Sequence, residues 1–121
     1  MSFTAEELKL FPGNILTHNH PSGGSFSWED IQIATLRQLA EIRAVGSQFA
    51  YSAKPARGGS WPEIVKTFEA YETARSEVYW DTIDKVRSGR MTDDEANLTF
   101  WHTVWSRVSA RMGFRYARRK R

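Results

Sequence analysis

Residues 18–30 bring together two imidazoles and a carboxylate, His18, His20 and Asp30, around the stretch Pro21-Ser22-Gly23-Gly24-Ser25-Phe26-Ser27. If residues 15–20 are extended, side chains two apart share a face, so His18 and His20 point the same way and Asn19 points oppositely. Two imidazoles and a carboxylate can hold a divalent ion, most simply zinc, with one position open to water that then loses its proton near neutral pH and attacks a carbonyl. A carboxylate outside the ligand set must accept that proton, and Glu6 and Glu7 are the nearby acids upstream. The same residues serve a second chemistry without metal. His18 and His20 would act as general acid and base on a phosphodiester, with Lys54, Arg57 and the C-terminal arginines stabilising the developing charge. A third reading is structural, with Asp30 capping a helix and the histidines bonded to the loop. The residues alone leave all three open.

These side chains need a strand, a loop and a helix to position them. Asn14 to His20 reads as a strand ended by Pro21, which lacks a backbone donor, and the Gly-Ser run after it is loop. Ser27 followed three residues later by Asp30 is a capping box in its Asp form, opening a helix expected to run to about Ala44 on Ile31, Ala34, Thr35, Gln38 and Ile42. Val45 to Ser52 alternates imperfectly and is expected as a second strand beside the first, giving a βαβ-like passage. Lys54 to Ser60 is loop by composition.

Ser60 is expected to cap a second helix that starts at Trp61-Pro62 and runs to Arg87, with a bend near Trp80 or Asp81. Thr92 and Glu95 form another capping box, opening a third helix that reaches Met112 and stops at Gly113. Thr4 with Glu7 suggests a short helical turn near the N-terminus, and Phe114 and Tyr116 a brief last strand. The expected fold is α+β: a small sheet of two or three strands packed against a long helix, followed by a two-helix hairpin. Residues 1–121 read as one domain, with 1–13 as an N-terminal arm and 117–121 as a basic tail.

Five Trp, four Tyr and seven Phe among 121 residues argue against disorder, and the tryptophans read first as core. With no Cys, neither a disulfide nor a thiolate enters the chemistry, which fits a reducing compartment. No apolar run reaches membrane-spanning length and no signal-peptide pattern opens the chain, so a soluble, intracellular protein without a membrane partner is expected. The formal charge is +3, yet residues 107–121 carry seven Arg or Lys and no acid, so the positive field is local to the C-terminal end. Lys54, Arg57, Arg115, Arg118, Arg119, Lys120 and Arg121 are the candidates for binding phosphate or a partner, set against a plain solvated tail. His102, flanked by Trp101 and Trp105, reads as a packed histidine. The Gly23-Gly24 and Gly58-Gly59 loops match no nucleotide-binding fingerprint.

The string His18-Asn19-His20-Pro21-Ser22-Gly23, followed by Ser27 and Asp30, resembles the metal motif of RadC-type members of the JAMM/MPN superfamily, one residue short in the loop. That resemblance implies zinc on His18, His20 and Asp30, with Ser27 as a hydrogen-bonding helper of the water. The family takes its catalytic Glu from a strand well upstream, and only seventeen residues precede His18. A longer resemblance, in order along nearly the whole chain, is to a domain at the ends of phage minor head and head-morphogenesis proteins. It is carried by Leu16 to Pro21, Ser25 to Ile31, Glu41 to Val45, Tyr51-Ser52, Trp61-Pro62 and Gly113 to Tyr116. It implies a phage protein acting in the host cytoplasm or a piece of a larger phage protein. Three functions are therefore weighed: a metal-dependent, hydrolase-like or degenerate HNHP site; a non-enzymatic inhibitor of a host defence or nucleic-acid enzyme; and a small RNase-like toxin.

Overall fold

The computed structural model describes residues 13–19 and 24–121. In chain order the elements are β1 (Ile15–Asn19), α1 (Trp28–Arg37), β2 (Glu41–Val45), β3 (Phe49–Lys54), α2 (Ile64–Arg87), α3 (Asp93–Met112) and β4 (Arg115–Lys120). The strands form one sheet in the order β1-β2-β3-β4. β1 and β2 are parallel, as a strand pair bridged by a crossover helix must be, and the two later pairings are antiparallel. The expected turn over Thr4 to Leu10 lies outside the described residues.

The class is α+β, but the expected arrangement of one long helix on a two- or three-stranded sheet, with a hairpin after it, is overturned. The first helix is short. Gln38 takes the left-handed conformation and closes it, and the Leu39 N–H reaches back to the Ala34 carbonyl at 3.1 Å. Leu39 is then buried, and its carbonyl accepts the Trp61 indole N–H at 2.7 Å. Glu41 to Val45, expected as the end of the helix, is instead a strand held on both sides, and its inward Ile42 and Ala44 are fully buried. The single strand expected over Val45 to Ser52 is the end of β2, a tight turn closed by Gly46 N–H to Phe49 C=O, and most of β3.

Two further corrections concern the second half. α2 runs without a break through Trp80 and Asp81, and Glu63, not Ser60, caps it by accepting the N–H groups of Val65 and Lys66. The C-terminal basic stretch is no tail, since β4 pairs with β3 from Arg115 to Lys120.

All three helices lie on one side of the sheet. Leu16, Ile42, Ala44, Tyr51 and Ala53 are buried beneath them, while Thr17, Arg43, Arg115, Ala117 and Arg119 on the other side are exposed. α1 adds Ile31, Ile33 and Ala34 to the core, and full burial of one residue such as Ile31 stabilises by roughly 1.5–3 kcal/mol. α2 and α3 run antiparallel, with Tyr71, Ala74 and Val78 against Val104, Trp105 and Val108 in one core. Arg107 and Arg111 reach across to Glu77 and Asp81, but exposed pairs of this kind add little beside the apolar contact.

Gly113 joins α3 to β4 with φ of 81°. A Cβ there meets no atom within 4 Å, so only the backbone resists a side chain. Gly113→Ala is expected to cost about 1 kcal/mol, read as a lower urea midpoint at unchanged slope.

Candidate functional site

β1 alternates burial along its length, and this turns His18 toward the helices in the row formed by His18, Ala44, Tyr51 and Arg118 across the four strands. Ala44 is small, which leaves room beside the imidazole. The loop after β1 leads into α1, whose first turn holds Asp30 with no exposed surface. His18 Nδ1 lies 3.2 Å from Asp30 Oδ1. The other carboxylate oxygen accepts the Ser27 N–H at 2.9 Å, while the Ser27 hydroxyl accepts the Asp30 N–H at 3.3 Å. The capping box thus does two jobs: it starts the helix and aims one carboxylate oxygen at the imidazole. A carboxylate removed from water needs this pairing, because its charge is otherwise prohibitively costly to bury.

The 3.2 Å separation suits a hydrogen bond from Nδ1–H at the long end of its range. It suits a shared ion equally well, since two ligands about 2.0–2.1 Å from a tetrahedral zinc stand about 3.3 Å apart. The donor set of imidazole and carboxylate is also a zinc set. Two of the three expected ligands therefore meet, and the site fits the metal. His20 lies outside the described residues, as do Glu6 and Glu7. Among the described residues, no group of three His, Cys, Asp or Glu side chains assembles.

A second polar chain runs beside the pair. Ser25 Oγ stands 2.8 Å from Tyr116 Oη, and Tyr116 Oη stands 2.9 Å from His102 Nδ1. The chain ties the loop before α1 to β4 and α3. Burial, with a smaller push from the Arg118 charge, holds the His102 pKa down to about 4, so its ring is neutral at pH 7. Burial likewise raises the Tyr116 phenol far above its usual range, and the Tyr51 phenol less so. These groups are hydrogen-bonding partners held neutral, and they carry no charge to the site.

His102 also makes stability depend on pH. Unfolded, it takes up a proton near pH 6.5; folded, it does so only near 4, so stability falls as pH drops between those values. The expected loss is about 1–2 kcal/mol after allowance for solvent screening. The carboxylates with lowered pKa values, among them Glu41 and Glu77, act below about 4.5, so the His102 contribution is read in the window from 6.5 to 4.5. His102→Gln should flatten the melting temperature across that window. An unchanged slope would exclude His102 as its source.

The phosphate candidates are divided by the fold. Arg118 alone enters the His18 row; its guanidinium lies 4.2 Å over the Phe49 ring, and its buried Nη1 has no hydrogen-bond partner among the described residues. Lys54, Arg115 and Arg119 occupy the opposite face of the sheet, Lys54 in register with Arg115 and Arg119 with Ala50. Arg57 is exposed in the loop after β3, Lys120 is exposed near the end of β4, and Arg121 donates to the Gly46 carbonyl at 2.7 Å. The sequence reading missed Tyr51, Tyr116 and Ser25 as neighbours of the site. Only the period of two in Arg115 to Lys120 could have signalled that Tyr116 and Arg118 face inward together.

No helix among the described residues is long and apolar enough to cross a membrane. Comparison with family models, with curated proteins and with solved structures finds no match.

Proposed function

We propose that this chain is a phage-type domain built around a single divalent-metal centre with hydrolase-like chemistry, held by His18 and Asp30, with His20 as the third ligand that the sequence spacing supplies. The observation that carries the reading is the His18–Asp30 pair: two buried metal-ligand side chains from different elements, 3.2 Å apart, one of them aimed by a capping box. The likeness of His18, His20, Ser27 and Asp30 to the JAMM/MPN metal motif supports it. The likeness to phage head-protein domains supplies the setting.

Each residue has a separable task. Asp30 supplies charge; Ser27 holds its second oxygen through a backbone N–H, which leaves the first facing His18. The Ser25–Tyr116–His102 chain pins the loop, so the ligands keep their separation without reorganisation. A bound zinc ion would supply Lewis acidity and a water with its pKa brought down toward about 7.

The test is metal content. Protein purified without chelator and supplied with zinc should hold about one equivalent, and His18→Ala should hold none while keeping its far-ultraviolet dichroism. A wild-type protein that takes up no zinc, cobalt or manganese would sink the reading, as would full loading of the His18 variant.

A further inference from the structure

Among the described residues, the three helices cover one face of the sheet and leave the other open, and the character of that open face is set by which side chains alternate onto it. Arg43 of β2, Lys54 of β3, and Arg115 and Arg119 of β4 all stand there. Three of these four cations belong to residues exposed to solvent, and the fourth, Lys54, is half-buried. Among the described residues one carboxylate shares the face, Glu41, and it is already engaged: Arg43 Nε lies 2.9 Å from it and the Ser52 hydroxyl donates to it at 2.6 Å. The hydrogen bond from Arg43 is the main reason its pKa is held below the ordinary range. Between the cations lies a shallow concavity of about 570 Å³ floored by Thr17, Val45, Ala50, Ser52 and Ala117.

We infer that this open sheet face is a docking surface for the phosphate backbone of duplex DNA, bound without sequence preference. Charge selects a polyanion: with Arg43 offset by Glu41, the cations of Lys54, Arg115 and Arg119 leave the face net positive. The floor selects against a protein partner, because such interfaces are anchored by large aromatic or apolar side chains and this one presents only small ones. Tyr51, the aromatic residue of the lining, is buried with its ring beside Phe49 and His102 on the helix side, so the floor offers no open ring for the base stacking that holds single strands. Spacing favours a duplex. Arg115 and Arg119, four residues apart on one strand, are about 13 Å apart along it, close to the roughly 12 Å width of a major groove. Lys54 is paired with Arg115 and doubles the charge at that end. Phosphate contacts of this kind position a protein on a duplex and carry no base readout.

The surface is separate from the His18–Asp30 pair, which lies under the helices on the opposite side of the sheet, so the two readings stand or fall independently.

The experiment is fluorescence polarisation with a labelled 20-base-pair duplex of arbitrary sequence, across a salt series. The wild type should bind with a slope of log affinity against log salt of about −3, as expected for three to four phosphate contacts. Lys54→Ala combined with Arg119→Ala should lower affinity at least tenfold and shrink the slope by about two, whereas Arg87→Ala with Arg90→Ala, at the far turn between α2 and α3, should change neither. Unchanged melting of both double variants certifies the comparison, and if the first unfolds, Arg43→Gln with Arg119→Gln replaces it. DNA and RNA duplexes are tested side by side: binding of DNA supports the inference, and tighter binding of RNA, whose major groove is deep and narrow, would overturn it. Equal loss in the two double variants would overturn it. So would tighter binding of single-stranded DNA, or displacement of the duplex by polyglutamate at matched charge.

Discussion

Trp105→Ala is expected to lower the unfolding free energy by about 3–5 kcal/mol, a drop of roughly 10–20 °C in melting temperature for a domain of this length. Trp105 has no exposed surface, and its ring lies against Tyr71 with centroids 5.2 Å apart. Its indole N–H donates to the Phe26 carbonyl at 2.6 Å. The substitution therefore opens a cavity and strands a buried carbonyl in the loop that leads to Ser27 and Asp30. Trp105→Phe separates the two effects, for it keeps most of the packing and removes the donor, and should cost about 1–3 kcal/mol. Denaturant unfolding of both variants measures this. A Trp105→Ala cost under 1 kcal/mol would mean that α3 does not pack on the sheet as described.

The second large effect is at Asp30. At this third helical position asparagine keeps an oxygen for the Ser27 N–H, and Ser27 remains the cap, so metal-free Asp30→Asn should melt within about 1 kcal/mol of the wild type. The metal-loaded forms should differ sharply. At free zinc about 1,000 times the dissociation constant, the wild type gains about 4 kcal/mol by mass action, and Asp30→Asn should lose nearly all of it. The size of the affinity loss assigns the role. A carboxylate that merely orients His18 through Nδ1 costs about 10–100-fold when removed, and a ligand costs more than that. Thermal melts against zinc concentration give both quantities. Equal stabilisation of the two proteins would remove Asp30 from the centre.

Local signals in this chain were legible where the governing interaction is short in range. Ser27 with Asp30 and Thr92 with Glu95 are capping boxes closed within one turn, and the Gly113 stop depends on one residue's backbone freedom. β2 failed this way of reading, because Leu39, Ile42 and their neighbours fit a helical stripe as well as a strand. What decides between the two is pairing with β1 on one side and β3 on the other. The same holds for Arg115 to Lys120, whose charges suggest a solvated tail until β3 offers six partners in register.

The means of starting the helix that carries Asp30 was determined by the chain's own order, since Ser27 and Asp30 bond to one another within a single helical turn. Tertiary structure alone decided which cations share a surface: alternation along β4 sends Arg118 under the helices and Arg115 and Arg119 to the open face. It also decided that Tyr116 and His102 brace Ser25 just ahead of α1, because those contacts join residues 91 and 14 positions apart. Such contacts are set by sheet register and helix packing, and neither is written in the spacing of neighbouring residues.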